Sequence, residues 1–208
     1  MSLTIGLSGV AGAGKDLFFS LLKRALIKNE IRVYRLALAD SLKCEVSSFL
    51  LKEYGVNIFD CDRATKNLYR PFLVFHGKIK RSQTNGRYWI DKISSRIDSK
   101  EKHKIFCITD IRYAEFKKDE LYWLREEKKG ILVHVSQYSI EGNNKIFKLP
   151  PNEDEAKNDP ILKNAADYKV EWPRIEGSQG FVEAALWKEV EDFIVWLKKN
   201  ERHGLRFS

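Results

Sequence analysis

The chain has 208 residues, of which 43% are hydrophobic and 32% are charged, and its formal net charge is +8. These values are ordinary for one globular domain with a proper hydrophobic core. The three cysteines form no C-x-x-C pair, so neither a disulfide framework nor a zinc site is indicated. The sequence has no leader-like start and no apolar run that approaches the length of a membrane span. We therefore expect a protein of the reducing cytoplasm without membrane contact.

Five short apolar runs predict strands, and helical patterns separate them. The predicted strands are 3–8, 31–38, 104–109, 131–136 and 167–172. The predicted helices are 15–29, 41–54, 72–79, 87–98, 114–129 and 180–199. Strands that alternate with helices predict parallel crossover connections, and hence an open, mostly five-stranded parallel α/β sheet flanked by helices. In such sheets ligands bind at the carboxyl ends of the strands.

Residues 137–166 form a long polar stretch that contains glycine, proline, asparagine and acidic residues. A loop of this length inside a domain is typical of a lid over an active site. The alternative is a solvated surface loop.

Residues 9–16 form a glycine-rich loop between the first predicted strand and the first helix. Their sequence, GVAGAGKD, fits the phosphate-binding pattern G-x-x-x-x-G-K-[ST], except that Asp16 replaces the hydroxyl residue. Glycines let backbone N–H groups turn toward phosphate oxygens, the helix N-terminus favours the same anion, and Lys15 adds a mobile charge. We therefore predict that ATP binds here. The predicted contacts are Gly9, Val10, Ala11, Gly12, Ala13, Gly14, Lys15 and Asp16.

Two polar segments follow the second and third predicted strands, where such sheets bind ligands. Asp110 is expected to hold Mg²⁺, directly or through water, because hard cations prefer oxygen ligands; a helix cap is the alternative. Arg112 can bind a phosphate in bidentate fashion. Asp40 and Lys43 either contact an acceptor or, in the case of Asp40, cap the next helix.

The segment 63–89 combines cationic and aromatic side chains. Arginine suits phosphate, and an aromatic ring suits a stacked base, although aromatic residues at helical spacing also serve as core. The cations are Arg63, Arg70, Lys78, Lys80, Arg81 and Arg87, and the rings are Tyr69, Phe72, Phe75, Tyr88 and Trp89.

Four stretches of the chain together resemble the deoxynucleoside monophosphate kinases typical of bacteriophages. They are 7–16, 38–43, 69–89 and 109–115, and the last predicted strand and helix fit the end of that family's domain. The family also carries aspartate after the loop lysine. Ser41 departs from the pattern, because proline is common at that position.

The resemblance implies a P-loop NTPase fold of the adenylate-kinase type, in a single kinase domain over residues 1–208. An acceptor-binding helical region would span about 41–103, and a lid about 137–166. The implied reaction transfers a phosphoryl group from ATP to a deoxynucleoside 5′-monophosphate with Mg²⁺, in the cytoplasm of a phage-infected host cell. Nucleic acid is not an expected partner, and a homodimer stays open.

The resemblance also implies roles for individual residues. Lys15, Asp16 and Arg112 would be catalytic, and Asp16 and Asp110 would bind the metal. The stretch 137–166 contains lysines and no arginine, so Arg112 or another core arginine would stabilise the transferring group. The implied substrate-binding residues are Asp40, Lys43, Arg70, Arg81, Trp89 and Arg112.

Three other functions stay open. Animal-type phosphomevalonate kinase shares the Gly-Lys-Asp loop, a Leu-x-Lys segment and an Asp-x-Arg segment. A P-loop NTPase that acts on nucleic acid fits the net charge of +8, but the sequence offers no second acidic pair of the motor type. A non-catalytic nucleotide-binding module is disfavoured by the presence of Lys15, Asp110 and Arg112.

Overall fold

The computed structural model describes residues 2–97 and 104–200, which form a six-stranded sheet with helices on both faces. The strands are β1 (Leu3–Ser8), β2 (Arg32–Leu36), β3 (Lys104–Ile108), β4 (Ile131–Glu141), β5 (Asn144–Phe147) and β6 (Tyr168–Pro173). Their order is β2-β3-β1-β4-β5, and β6 also pairs with β4. All pairings are parallel except that of β4 with β5. The prediction of a mostly parallel α/β sheet flanked by helices is confirmed, and β5 is an additional strand.

The helices pack in two layers because side chains alternate between the two faces of each strand. The helices are α1 (Lys15–Ile27), α2 (Leu38–Tyr54), α3 (Arg63–Gln83), α4 (Arg87–Ser94), α5 (Glu120–Tyr122), α6 (Glu153–Ala165) and α7 (Gln179–Lys199). A π-helical turn, Trp123–Glu127, continues α5. On one face α1 and α7 bury Phe18 and Phe193, and on the other face α4 and α6 bury Trp89 and Leu162. Within the described ranges, no helix is both long and apolar enough to cross a membrane.

Three predicted helices have the wrong length. The prediction 72–79 is too short, because α3 starts at Arg63, where the Asp62 side chain accepts the N–H of Thr65, and runs through Pro71. The prediction 114–129 is too long, because only 120–127 are helical. The Asp119 carboxylate accepts the N–H groups of residues 115 and 116, and these bonds replace helical ones before α5. The prediction 87–98 is also too long, because α4 ends at Ser94 and residues 95–97 are not helical; residue 98 lies outside the described residues.

The stretch 137–166 is not a loop. Strand β4 continues to Glu141, a two-residue turn begins at Gly142, and β5 returns antiparallel to the outer half of β4. Helix α6 follows and packs on the sheet through Leu162, and its fully buried Asn158 accepts the N–H of Ala114. The stretch looks polar because most of the hairpin is exposed and α6 buries only a narrow face. Its role as a lid stays a prediction.

Candidate active site

The phosphate-binding loop, residues 9–16, connects the buried strand β1 to α1. Its backbone needs glycine at defined positions. Gly9 has φ 127°, and a Cβ there would lie 2.1 Å from the carbonyl oxygen of Val135. Gly14 has φ 97°, and a Cβ there would lie 2.5 Å from the indole ring of Trp172. The glycines therefore allow both the turn and the close packing of the loop.

Trp172 supports the loop from β6, and sequence reasoning missed this residue. Its side chain is buried, and its indole N–H donates a hydrogen bond of 2.8 Å to the carbonyl of Ala13. The contact joins residues 159 positions apart. A tryptophan in an apolar strand predicts only a core residue, so the sequence carries no indication of this role.

Lys15 lies folded over the carbonyl groups of its own loop. Its Nζ donates to the carbonyl oxygens of Gly9, at 2.5 Å, and Val10, at 3.0 Å. Burial and the positive charge of Arg112 lower the pKa of Lys15 from 10.5 to about 8, against the opposing effect of nearby carboxylates. The lysine therefore lies where the charge of an incoming phosphate would favour its protonated form.

Asp110 and Asp16 lie in different environments. The two carboxylate oxygens of Asp110 accept the N–H groups of Leu38 and Ala39, each at 2.8 Å, and the residue is buried. Asp110 thus caps the first turn of α2. This is the helix-capping role that the sequence offers as the alternative to metal binding. Asp16 is exposed in the first turn of α1. In the described residues, no group of three or more His, Cys, Asp or Glu residues could by itself hold a metal ion.

A cavity of about 270 Å³ adjoins the phosphate-binding loop and lies between α2 and α3. We call it the cationic cavity. Its cationic lining residues are Lys43, Lys66, Arg70, Lys78, Arg81 and Arg112. Its apolar and aromatic lining residues include Leu38, Leu42, Leu73, Val74, Trp89 and Tyr113. The structure therefore brings five of the six predicted substrate residues to one cavity next to the loop.

Asp40 is the predicted substrate residue that does not line the cavity. Its carboxylate contacts Arg35 Nη1 at 2.6 Å and Lys43 Nζ at 3.5 Å. Arg35 lies on β2, and the sequence analysis did not single it out. The role of Asp40 that the geometry supports is to orient Lys43, whose side chain does reach the cavity.

Arg81 lines the cavity as part of a buried ionic network. Its guanidinium contacts Asp119 at 2.8 Å and Glu120 at 3.1 Å, and its Cζ lies 3.7 Å from the centre of the Tyr113 ring. Burial raises the pKa of Glu120, and the charge of Arg81 opposes that effect. The other oxygen of Glu120 accepts the N–H groups of Arg112 and Tyr113. The network therefore fixes the backbone that presents Arg112.

Trp89 is a wall of the cavity. The residue is buried, and its indole N–H donates to the carbonyl of Gly77 at 3.3 Å. Tyr88, its neighbour, donates a 2.7 Å hydrogen bond to Glu45. Burial raises the pKa of Glu45, but hydrogen bonds from Tyr88, Lys92 and His76 outweigh burial and lower this pKa to about 2. Glu45 thus links α2 to α3 and α4 around the cavity.

The segment 137–165 reaches the phosphate-binding loop at two points that the sequence analysis did not identify. Lys148 Nζ donates to the carbonyl of Gly12 at 3.1 Å. Glu155, in the first turn of α6, accepts the N–H of Ala11 at 2.7 Å. An acidic first turn is ordinary in a helix, so its sequence did not distinguish Glu155 from its neighbours. Both the residue after β5 and the first turn of α6 therefore contact the loop.

Fold and loop together define an α/β protein with a phosphate-binding loop between its first strand and first helix. No family model matches the chain, and no curated protein matches it in sequence. Similar solved structures include shikimate kinase from Aquifex aeolicus, 15% identical over 95% of this chain and 98% of that one, with a TM-score of 0.42. A gluconokinase from Sinorhizobium meliloti is 12% identical over 95% of this chain and 94% of its own, with a TM-score of 0.40. Thymidylate kinase from Ehrlichia chaffeensis is 13% identical over 94% and 98%, with a TM-score of 0.34.

Proposed function

We propose that the protein transfers the terminal phosphoryl group of ATP to the phosphate of a deoxynucleoside 5′-monophosphate. The observation that carries the proposal is the direct junction of the phosphate-binding loop with the cationic cavity. Ala11 belongs to the loop and also lines that cavity. Phosphoryl transfer requires that the donor and the acceptor lie in line. The protein contributes mainly positioning and charge neutralisation, and little covalent chemistry. The junction supports that arrangement.

The mixed lining of the cavity supports a nucleotide acceptor. Lys43, Arg70 and Arg112 all line the cavity, and their positive charges suit a phosphate monoester. Leu42, Val74 and the other apolar lining residues suit the face of a base. A small phosphorylated alcohol, as in a phosphomevalonate kinase, would use the cations but leave the apolar wall without a partner.

On the donor side, Lys15 would bind the terminal phosphates of ATP and Arg112 would stabilise the transferring group. Lys148 is a further cation at this position. Lys148 directly follows β5 and is the lysine that brings a positive charge from the arginine-free stretch 137–166 to the loop. The other cations of that stretch contact carboxylates elsewhere: Lys145 and Lys163 contact Glu171, and Lys157 contacts Glu115.

The residues fit a magnesium ion that enters with ATP rather than a resident metal. Asp16 offers exposed carboxylate oxygens beside the loop, and Asp110 has both oxygens engaged with the backbone. Asp16 would therefore hold the ion together with phosphate oxygens, and Asp110 would act through water. The bound ion would neutralise phosphate charge. Asp110 itself would keep the N-terminus of α2, and hence Lys43, in position.

The test is ADP release from Mg-ATP with dAMP, dGMP, dCMP, dTMP, dUMP and mevalonate 5-phosphate as separate acceptors. We expect turnover that depends on one or more deoxynucleotides, which would also give the base specificity. Turnover with mevalonate 5-phosphate alone would replace the proposal with the phosphomevalonate reaction. ADP release that ignores every acceptor and rises with DNA would replace it with a nucleic-acid-dependent NTPase.

A further inference from the structure

Glu155 occupies a position at which a phosphate-binding loop ordinarily binds an anion. Its Oε2 accepts the N–H of Ala11 at 2.7 Å, and this N–H lies within the glycine-rich loop. The backbone N–H groups of such loops bind phosphate oxygens. Glu155 is well shielded, because only 14% of its side chain is exposed. A protein carboxylate is therefore already bound to the loop.

The remaining surroundings of Glu155 are also those of a phosphoryl group. Its Oε1 lies 3.8 Å from Arg112 Nη1, and its negative charge partly offsets the lowering of the Lys15 pKa by burial and Arg112. One carboxylate thus interacts with a loop N–H, the loop lysine and the arginine that follows β3. In the proposed reaction these groups would act on the terminal phosphate of ATP. Two anions cannot share such a place without strong repulsion.

Glu155 also faces the acceptor side. Glu155 and Asn152, both at the start of α6, line the cationic cavity. Asp154 in the same turn binds Lys78 of α3 at 2.8 Å, across the cavity. The rest of α6 is held to the sheet by Leu162 and by the contact of Asp159 with His134 at 3.0 Å. The first turn of α6 therefore connects the donor loop to the acceptor wall.

We propose that Glu155 is a built-in substitute for the terminal phosphate of ATP, which holds the loop closed until ATP displaces it. ATP binding then breaks the contact between Glu155 and Ala11 and releases the first turn of α6 from the loop. Since the same turn lines the cationic cavity, entry of ATP changes the acceptor site. The inference rests on the proposed function only in requiring that ATP binds the loop, whatever the acceptor is.

The test is the affinity of Glu155→Gln for ATP, ADP and adenosine, measured by calorimetry with Mg²⁺ and without acceptor. Glutamine keeps the side-chain length and an oxygen acceptor for the Ala11 N–H, but it removes the competing charge. We expect the dissociation constant for ATP to fall about tenfold. The gain should be smaller for ADP, which lacks the terminal phosphate, and absent for adenosine.

Glu153→Gln is the matched control. Glu153 lies in the same first turn and is exposed, so its substitution makes the same charge change without touching the loop. We expect its ATP affinity to equal that of the unmodified protein. Equal affinities of Glu155→Gln and the unmodified protein would overturn the inference. A loss of ATP affinity in Glu155→Gln would also overturn it, because it would make Glu155 a ligand of the bound magnesium nucleotide. If the unmodified protein binds no ATP, the proposed function itself fails.

Discussion

The phosphate-binding loop and the wall of the cationic cavity are adjacent, but different forces hold them in shape. The loop is fixed by backbone packing and by one indole hydrogen bond: Gly9 lies against the Val135 carbonyl, and Trp172 donates to Ala13. The Nζ of Lys15 donates to two carbonyl groups of the loop itself. The chemistry of the loop can therefore be removed with little effect on the fold.

The cavity wall depends on buried charges. Arg81, Asp119 and Glu120 form one network, and each of these side chains is 5% exposed or less. When one member of a buried ionic network is removed, the others remain charged and without a partner, which costs far more than the loss of a surface pair. Stability and function are thus separable at the loop and coupled at the wall. The following predictions test that difference.

The largest effect is expected at the loop. Replacing Lys15 by alanine should lower kcat/KM about 1,000-fold or more, because the terminal phosphates lose their nearest cation. The thermal midpoint should stay that of the unmodified protein. Lys23→Ala, an exposed lysine of the same helix, is the control and should leave both values unchanged. Wild-type turnover in Lys15→Ala would remove the loop from the mechanism.

A substitution in the cavity wall should, in contrast, lower the stability of the fold. Arg81→Met should lower the free energy of unfolding by about 3 kcal/mol or more, since Asp119 keeps a buried charge without its partner and Glu120 loses its contact with the guanidinium group. Urea titration measures the loss. Arg87→Met, which breaks more exposed contacts with Asp91 and Glu127, should cost less than about 1 kcal/mol. Similar losses in the two variants would contradict the contrast between loop and wall.

Arg112 lies where the two regions meet, and it should affect chemistry more than binding. Arg112→Ala should lower kcat about 100-fold and change the dissociation constant of ATP less than about threefold. Its side chain is 45% exposed, so the fold should be unaffected. Arg96→Ala, another exposed arginine, provides the control for loss of a positive charge. An unchanged kcat would reassign Arg112 to a structural role.

The smallest effect concerns protons. The folded protein lowers the pKa of Lys15 from the ordinary lysine value of 10.5 to about 8. Between about pH 8 and pH 10.5, Lys15 is therefore mostly deprotonated in the folded protein and mostly protonated in the unfolded chain. In that window the unfolded chain binds more protons, and this residue makes stability rise with pH. ATP favours the charged lysine, so binding near pH 9 should take up about one proton, and affinity should fall as pH rises.

Calorimetry of ATP binding in two buffers of different ionisation enthalpy measures the proton uptake. Lys15→Ala should bind with no uptake that exceeds the nucleotide's own. Identical apparent enthalpies in both buffers for the unmodified protein would contradict the lowered pKa of Lys15.

The sequence predicted the elements whose determinants are local. Eight consecutive residues specify the loop. The five predicted strands all occur: β1, β3 and the first half of β4 are almost entirely buried, whereas β2 and β6 bury only alternate or isolated apolar residues. The prediction of a loop over 137–166 is wrong, because the β4–β5 hairpin in this stretch is exposed on most of its surface and offers little apolar pattern. The predicted helix 72–79 is shorter than α3, because proline is ordinarily found in the first turn of a helix and Pro71 lies inside this one.

The candidate site divides in the same way. Lys43, Arg70 and Arg112 were identified because each follows a strand or lies in a basic segment, and all three line the cavity. Glu155 and Lys148 were not identified, because they contact the loop across 144 and 136 positions of sequence. Such contacts depend on how β5 and α6 fold back over the sheet, and a single sequence does not encode that path in any local pattern.

The hydrogen bond between Trp172 and Ala13 has a consequence for biosynthesis. The glycine-rich motif leaves the ribosome early, but the indole ring that supports it belongs to the last strand, 159 positions later. The flanking strands β3 and β4 also follow β1 by a hundred residues or more. A nascent chain that ends before β6 therefore carries every residue of the loop without the wall against which Gly14 packs. We therefore expect the loop to reach its final conformation only after β6 has been synthesised.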